Sequence, residues 1–218
     1  MSKTKIVEQM DALSNRIIQI NIIESDIKYL ADAKAEYFQN IVSKSNFLHR
    51  CYIAFMKSFV IEVHKCLNPR EHYNIISLYS LLIKNYHDIE WKHDTQLAYL
   101  KQKERDIIKL TKSDQFIRLK DTRNKYYAHD DRDKHTFNTA VSRNSYWDFS
   151  KTLKDTYNDL SLRLNGSQFF FDTDLLRGVL LKMNLYHKIE DYVFEEYKKT
   201  SNIGRLSEVL DIIRGKIN

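Results

Sequence analysis

Apolar residues near the start of the chain recur at alternating spacings of four and three positions. The series is Ile6, Met10, Leu13, Ile17 and Ile20, and after a break at Glu24 it resumes at Ile27, Ala31, Phe38 and Ile41, with a second break at Lys34. This heptad spacing places one apolar stripe along a long helix and predicts that the stripe packs against a partner helix. The pattern leaves open whether the partner lies in the same chain or in a second subunit. Its two polar breaks disfavour a long, free-standing coiled coil.

The next apolar stretch, from Phe47 to Leu67, predicts a buried helix. It follows Ser43-Lys44-Ser45-Asn46, whose side chains can cap a helix start, and it ends at Asn68-Pro69, because a residue before proline disfavours helical geometry. The polar residues on or near this helix are Arg50, Glu62 and His64. We interpret them as paired or solvent-reaching side chains rather than catalytic ones.

Further helices are predicted after this stretch. The first two cover residues 69–85, with Pro69 as first residue, and residues 95–112, with Asp94 as N-cap. A third is capped by Ser113-Asp114 and continues through Tyr127. The last two cover residues 150–164 and a long span from Asp172 or Asp174 to about 199. The one clear turn signal is Asn165-Gly166-Ser167. The segment Tyr86–Asp94 holds two histidines and three acids but none of the usual short His/His ligand spacings, so we interpret it as a solvated loop and not as a metal site.

Composition supports an all-α fold. The 218 residues include four glycines and one proline, where average usage gives roughly 15 and 11. Turn-rich sandwiches, barrels and glycine-loop nucleotide folds are therefore disfavoured. No apolar run approaches the roughly 20 residues of a membrane span, and no signal peptide opens the chain. Cys51 and Cys66 lie too far apart on one predicted helix for a disulfide, which fits reduced thiols and a cytoplasmic location.

The charge balance permits a polyanionic partner. Lysine and arginine total 35 against 29 acidic residues, a formal net charge of +6. A basic surface suits RNA, because neutralising phosphates releases counterions. A charge of this size also serves solubility alone.

The residues with the clearest chemistry are Arg123, Asn124 and His129, near the end of a predicted helix. They combine a fixed cation, an amide that donates and accepts, and an imidazole that titrates near neutral pH, which are the groups needed to bind a phosphate and move a proton. On a regular helix Arg123 and His129 point about 120° apart. They converge on one phosphate only if the helix ends or bends between them, or if a second subunit brings its own copy. This geometry favours a homodimer.

The run Arg123-Asn124-Lys125-Tyr126-Tyr127-Ala128-His129 resembles the arginine, polar residue, spacer and histidine motif of the HEPN superfamily. The phrase from Leu119 to Asp130, together with the upstream run from Leu48 to Leu67, resembles its abortive-infection, AbiU-like branch. The resemblance covers about residues 45–200. Residues 1–44 are accordingly expected to be an N-terminal helical extension, and residues 45–218 a HEPN-like helical domain.

The resemblance implies a helical bundle that dimerises with the motif in a cleft between subunits. It also implies a metal-independent endoribonuclease of a phage-defence or toxin–antitoxin type, without cofactors. His129 would act as general base or acid, Arg123 would hold the phosphate, and Asn124 would orient the phosphate or His129. Lys125 and Tyr126 are expected to add substrate contacts. RNA, a second copy of the chain and a cognate antitoxin or defence protein are the implied partners, with no membrane.

Two other interpretations stay open. The chain could be a non-catalytic HEPN-like module that binds RNA, a nucleotide or a protein. It could also be a structural adaptor built on the heptad pattern of residues 6–41. A bland explanation of the motif is that Arg123 pairs with Asp121 or Asp130 on a solvated face while His129 ends a helix.

Overall fold

The computed structural model describes residues 2–124, 143–169 and 175–200. Within these ranges all regular elements are helical, which confirms the all-α prediction. The α-helices are α1 (Ser2–Leu30), α2 (Asn46–Leu67), α3 (Ile75–Lys84), α4 (Leu97–Thr111), α5 (Asp114–Asp121), α6 (Arg143–Asn165) and α7 (Leu175–Thr200). A π-helical turn, Phe38–Val42, precedes α2, and a 3-10 turn, Tyr86–Asp88, follows α3. None of these helices has the length and apolar character needed to cross a membrane.

The chain divides into two compact units, each made of two chain segments. The first unit contains Met1–Ile27 and Ile53–Thr173, and the second contains Lys28–Tyr52 and Asp174–Asn218. The division expected from the sequence, at residue 44, has different boundaries and stays a prediction.

In the first unit, α1 is part of the core. Its heptad positions Ile6, Met10, Leu13, Ile17, Ile20 and Ile27 are all buried, as predicted. The hydroxyl of Tyr157 on α6 donates to the carbonyl of Met10 at 3.2 Å. The amide of Gln9 donates to the carbonyl of Asn74, just before α3, at 3.3 Å. For this part of the stripe, then, the partner helices lie in the same chain.

Glu24, the polar break in the heptad pattern, is buried and bonded to α6. The hydroxyl of Ser150 donates to its carboxylate at 2.5 Å, and the ammonium of Lys154 lies 2.9 Å away. Lys154 also donates to the side-chain oxygen of Asn21 at 3.2 Å. The break therefore marks a polar contact inside the helix packing, where every charged group has an opposite partner.

Two predicted helix starts are wrong. The helix expected from Pro69 begins at Ile75, because the side chain of Asn74 accepts from the Ser77 N–H at 2.8 Å and caps it there. The helix expected from Thr95, with Asp94 as its cap, begins at Leu97. Thr95 is kept outside it because its hydroxyl donates to the carbonyl of His93, and its own carbonyl accepts from Tyr86.

Two further bounds also differ. The first helix ends at Leu30 instead of reaching Ile41. The Asp32 carboxylate accepts from the backbone N–H of Lys34 at 3.2 Å, a local bond that competes with helix continuation. The helix expected from residue 150 begins earlier, at Arg143, and its first turns bury Tyr146 and Phe149.

Several local signals are confirmed. The core helix α2 spans Asn46–Leu67, close to the predicted range. The hydroxyl of Ser113 accepts from the backbone N–H of Phe116 and so caps α5. Gly166 turns the chain after α6 with a φ of 74°, a conformation that glycine adopts without strain. Cys51 and Cys66 are both free thiols.

In the second unit, α7 packs against the π-helical turn. Asn40 on the turn donates to the side chain of Asn184 at 2.9 Å, and Leu180 is fully buried nearby in sequence. An exposed ion pair joins Lys188 to Glu36 at 2.6 Å. The expected end of α7 near residue 199 is confirmed by its end at Thr200, while its expected caps, Asp172 and Asp174, lie outside the described residues.

Candidate functional site

The predicted motif begins where α5 ends. The α-helix extends to Asp121, and residues 122–124 continue it as a wider π-helical turn. Such turns occur often at functional sites, because they redirect side chains relative to the helix before them. Arg123 and Asn124 lie in this turn, whereas Lys125, Tyr126 and His129 lie outside the described residues.

The side chains of Arg123 and Asn124 contact each other directly. A terminal guanidinium nitrogen, Nη1 of Arg123, donates to Oδ1 of Asn124 at 2.8 Å. The Nε of Arg123 is buried and has no hydrogen-bond partner among the described residues. Among those residues no ion pair joins Arg123 to Asp121, one of the two partners in the bland explanation of the motif, while the other, Asp130, lies outside the described residues. The observed partner of the Asn124 amide is thus the guanidinium of Arg123. The expectation that Asn124 orients the phosphate or His129 stays a prediction.

His64 on α2 lies beside this pair. Its imidazole is buried, with 3% of the residue exposed, and stacks on Phe116 of α5 with ring centroids 5.6 Å apart and planes at 8°. Burial, and after it the positive charge of Arg123, lower the pKa of His64 to about 4, with Lys120 acting in the same direction and Glu71 against it. The Nδ1 of His64 has no hydrogen-bond partner within the described part of the chain. Arg123 thus faces a neutral histidine at neutral pH.

Thr122 ties the motif to α6. It is buried, its hydroxyl donates to the carbonyl of Arg118 at 2.9 Å, and it shares a side-chain hydrogen bond with Tyr146. Burial raises the pKa of the Tyr146 phenol, so this hydroxyl stays protonated. The residue directly before Arg123 is therefore fixed to the core.

Sequence analysis overlooked Thr122 and Tyr146, and it gave His64 no role at the motif. For Thr122 a signal was available, since Phe116, Leu119 and Thr122 recur every three residues and so share the buried face of α5. For His64 and Tyr146 no local pattern exists, because each meets the motif through packing of a different helix.

No group of three or more histidine, cysteine, aspartate or glutamate side chains that could hold a metal ion occurs within the ranges 2–124, 143–169 and 175–200. Arg123 and Asn124 instead offer hydrogen-bond donors: the free edge of a guanidinium and an amide NH₂. A planar guanidinium held on one side suits the oxygens of a phosphate.

Comparison with protein families assigns the chain to a family. The chain matches the HEPN_AbiU2 family, described as AbiU2, over residues 3–179. It belongs to the HEPN AbiU2 family. The match confirms the resemblance to the abortive-infection branch of the HEPN superfamily. No curated protein and no solved structure matches the chain significantly.

The extent of the family match changes the view of the N-terminal helix. The resemblance seen in the sequence began near residue 45, whereas the HEPN AbiU2 match begins at residue 3 and so includes nearly all of α1. This agrees with the burial of α1 against α6. In this HEPN AbiU2 protein, α1 lies within the family region, which also contains the whole run from Arg123 to His129.

Proposed function

We propose that this HEPN AbiU2 protein is a metal-independent endoribonuclease of a phage-defence or toxin–antitoxin system, with its active site at a homodimer cleft. The observation that carries the proposal is the contact between Arg123 and Asn124 just after the end of α5. These two residues precede His129 by six and five positions in the sequence, and all three lie within the family match. The proposal places the protein in the cytoplasm, with RNA as substrate and a neutralising or activating protein as a further partner.

The reaction is a transfer within the RNA backbone. The 2′-hydroxyl attacks the adjacent phosphorus, the bond to the 5′-oxygen breaks, and a cyclic phosphate remains on the upstream fragment. His129 takes the proton of the 2′-hydroxyl as general base. In a two-fold dimer the second copy of His129 supplies a proton to the leaving 5′-oxygen.

Arg123 binds the phosphate and offsets the charge that develops on its oxygens during attack. Asn124 acts through Arg123, because its Oδ1 holds the guanidinium at 2.8 Å, and no other hydrogen bond engages the guanidinium among the described residues. Neutral His64 adds no further positive charge beside Arg123. Lys125 and Tyr126 add contacts to the neighbouring nucleotides.

A second candidate is a non-catalytic module that binds RNA, a nucleotide or a protein. It is favoured by the direct hydrogen bond between Arg123 and Asn124, which two neighbouring residues form with each other. Such a pair binds a phosphate whether or not a proton is transferred beside it.

The test is cleavage of RNA by the purified protein in EDTA. We expect cutting by the wild type, a loss of about 10²–10⁴-fold for His129→Ala as a general acid–base residue, and a loss of about 10²–10³-fold for Arg123→Ala as a charge-stabilising donor. Asn124→Ala should fall between Arg123→Ala and the wild type. Circular dichroism checks that each variant folds.

Matched controls are Arg70→Ala and His93→Ala, which remove one exposed arginine and one exposed histidine elsewhere. Both should cut like the wild type. Equal cutting by the motif variants and these controls would reject the nuclease. Absence of cutting, with RNA binding that survives His129→Ala and is lost in Arg123→Ala, would establish the binding module instead.

A further inference from the structure

Helix α4 carries a line of basic residues that the motif does not use. Lys101, Arg105 and Lys109 lie on α4, and Lys112 follows directly after its last residue with helical backbone angles. At 100° and 1.5 Å per residue, the four fall within an arc of about 80° and extend over roughly 16 Å. We call these four residues the basic stripe.

The basic stripe faces solvent. All four residues are exposed, and the buried residues of α4, Leu100 and Ile107, lie on the other side of the helix. The Nε of Arg105 donates to the backbone of Lys101 at 3.1 Å, which leaves its terminal nitrogens unbonded among the described residues. None of the four forms an ion pair within the described part of the chain.

The acids of α4 do not neutralise the basic stripe. Glu104 and Asp106 each lie about 100° around the helix from the centre of the stripe. Glu104 accepts a hydrogen bond from Ser80, and Asp106 accepts one from Gln102 at 2.8 Å. Both carboxylates are thus turned towards other partners.

Charge is concentrated in this part of the sequence. Residues 97–124 contain eight lysines and arginines and four aspartates and glutamates, which gives +4, out of +6 for the whole chain. The segment begins with α4 and ends at Arg123 and Asn124. A field of one sign along it attracts a polyanion and raises the rate of encounter.

We propose that the basic stripe binds the backbone of single-stranded RNA and guides the strand towards Arg123. The inference rests on the proposed function for the identity of the polyanion. The stripe places four positive charges along roughly 16 Å, so it can contact several consecutive phosphates of one strand. Helix α5, eight residues or about 12 Å long, lies between Lys112 and Arg123 and contacts α4.

The stripe binds phosphate and does not read sequence. Its members are lysine and arginine side chains at the solvent face, with no exposed aromatic side chain among them on which bases could stack. Tyr99, the aromatic residue of α4, is engaged by Arg163, whose guanidinium carbon lies 4.1 Å from its ring centre. Sequence selection is therefore left to the cleavage motif.

The test measures binding of a labelled 12-nucleotide single-stranded RNA by fluorescence anisotropy between 50 and 200 mM salt. All proteins carry His129→Ala, so that the probe stays intact. The stripe variant replaces Lys101, Arg105, Lys109 and Lys112 by Gln. Because each phosphate contact on a single strand contributes about 0.7 to the slope of log affinity against log salt, we expect the slope to fall by about 3 and the affinity by more than about tenfold.

A matched variant makes the same change of charge elsewhere. Lys57, Arg70, Lys84 and Lys151 are exposed residues of the first unit, and their replacement by Gln also removes three lysines and one arginine. This variant should bind within about threefold of the reference protein with its salt slope unchanged. Equal weakening of both variants, an unchanged slope in the stripe variant, or no RNA binding by the reference protein would overturn the inference.

Parallel cleavage assays in EDTA, with His129 intact, separate this inference from the proposed function. RNA binding that depends on the stripe, with no cleavage by any protein, keeps the binding surface and rejects the nuclease. Cleavage and binding that are both insensitive to the stripe substitutions keep the nuclease and reject the surface. A stripe-dependent preference for an acidic peptide over the RNA would reject RNA as the occupant.

Discussion

His64 presents a neutral imidazole to the guanidinium of Arg123. The imidazole belongs to α2, and the guanidinium belongs to the turn that follows α5. The stacking of His64 on Phe116 of α5 fixes the position of the imidazole relative to α5. A protonated histidine here would be a buried like charge beside an arginine, which burial and Coulomb repulsion both oppose. Part of the free energy of unfolding therefore depends on His64 staying uncharged.

This histidine makes stability depend on pH in a defined window. The pKa of His64 falls from an ordinary 6.5 to about 4 on folding, so between these values the unfolded chain binds a proton that the folded chain does not. Its contribution is complete above pH 6.5 and is lost as the pH falls through the window. At about 1.4 kcal/mol per pKa unit, the loss between pH 7 and pH 5 is about 2 kcal/mol.

His64→Phe keeps an aromatic ring against Phe116 and removes the titrating group. Between pH 7 and pH 5 the free energy of unfolding, measured with urea, should fall in both proteins, and we expect the fall to be about 2 kcal/mol larger in the wild type than in His64→Phe. The exposed His93→Phe serves as control and should follow the wild type. Parallel curves for His64→Phe and the wild type would contradict the argument.

The motif shows which part of a site a sequence can reveal. Arg123 and Asn124 are neighbours in the chain, so their chemistry was predictable from the sequence and their contact follows from a local turn. The electrostatic interaction of Arg123 with His64 crosses 59 positions and depends on how α2 packs against α5. No periodicity in either helix contains that information.

At the scale of helices, polar residues inside apolar stripes decide how α1 is placed. The sequence presents Glu24 as an interruption of a heptad pattern, but the structure buries it against Ser150 and Lys154 of α6. An apolar stripe allows many sliding registers, whereas one buried ion pair is satisfied in a single register. The break therefore fixes the position of α1 along α6.

Glu24→Gln should destabilise the protein by about 3 kcal/mol, because it leaves the ammonium of Lys154 without a counter-charge. The side chains of Lys154 and Glu24 are 18% and 6% exposed, so water compensates little. The control is Glu90→Gln, which breaks the exposed pair with Lys92 and should cost less than about 1 kcal/mol. Urea unfolding at pH 7 measures both, and equal effects would show that burial of the pair is unimportant.

The first residue of a helix was predictable where one capping side chain marks it. It was not predictable where two residues close in the sequence both signal a helix start. Ser113 was identified correctly as the cap of α5. Pro69 and Asn74 both signal a helix start, and Asn74 prevails because its side chain bonds to Ser77. The spacing of apolar residues still predicted the buried face of α1, since that face depends only on helical geometry.

At the scale of the whole molecule, the proposed reaction needs two copies of the chain. Arg123 and His129 diverge on a regular helix, and the π-helical turn at 122–124 alters the helix only around Arg123 in the described residues. Two copies around a two-fold axis would bring two arginines and two histidines together. The convergence of these groups in a dimer stays a prediction.

Light scattering after gel filtration should give twice the chain mass of 26.1 kDa. If the site is shared, heterodimers of wild type and His129→Ala should lose most of their cleavage, because one cleft then holds a single His129 and lacks either the general base or the general acid. A monomer that cuts RNA at full rate would contradict the dimer. A heterodimer of wild type and His129→Ala that keeps half of the wild-type rate would place a complete set of catalytic groups in each copy of the chain.

The contact between α1 and α6 also determines when the protein can complete its core during synthesis. Glu24 and Lys154 are 130 positions apart, and translation at 5–20 residues per second separates their synthesis by roughly 7–26 s. During that interval α6 has not been made and cannot cover the apolar face of α1. Exposed apolar surface of this kind is what chaperones bind on a nascent chain. Tyr146, which anchors Thr122 beside Arg123, also arrives after the motif has been made. The growing chain therefore cannot complete the packing around Thr122 and Arg123 while most of α6 is still to be translated.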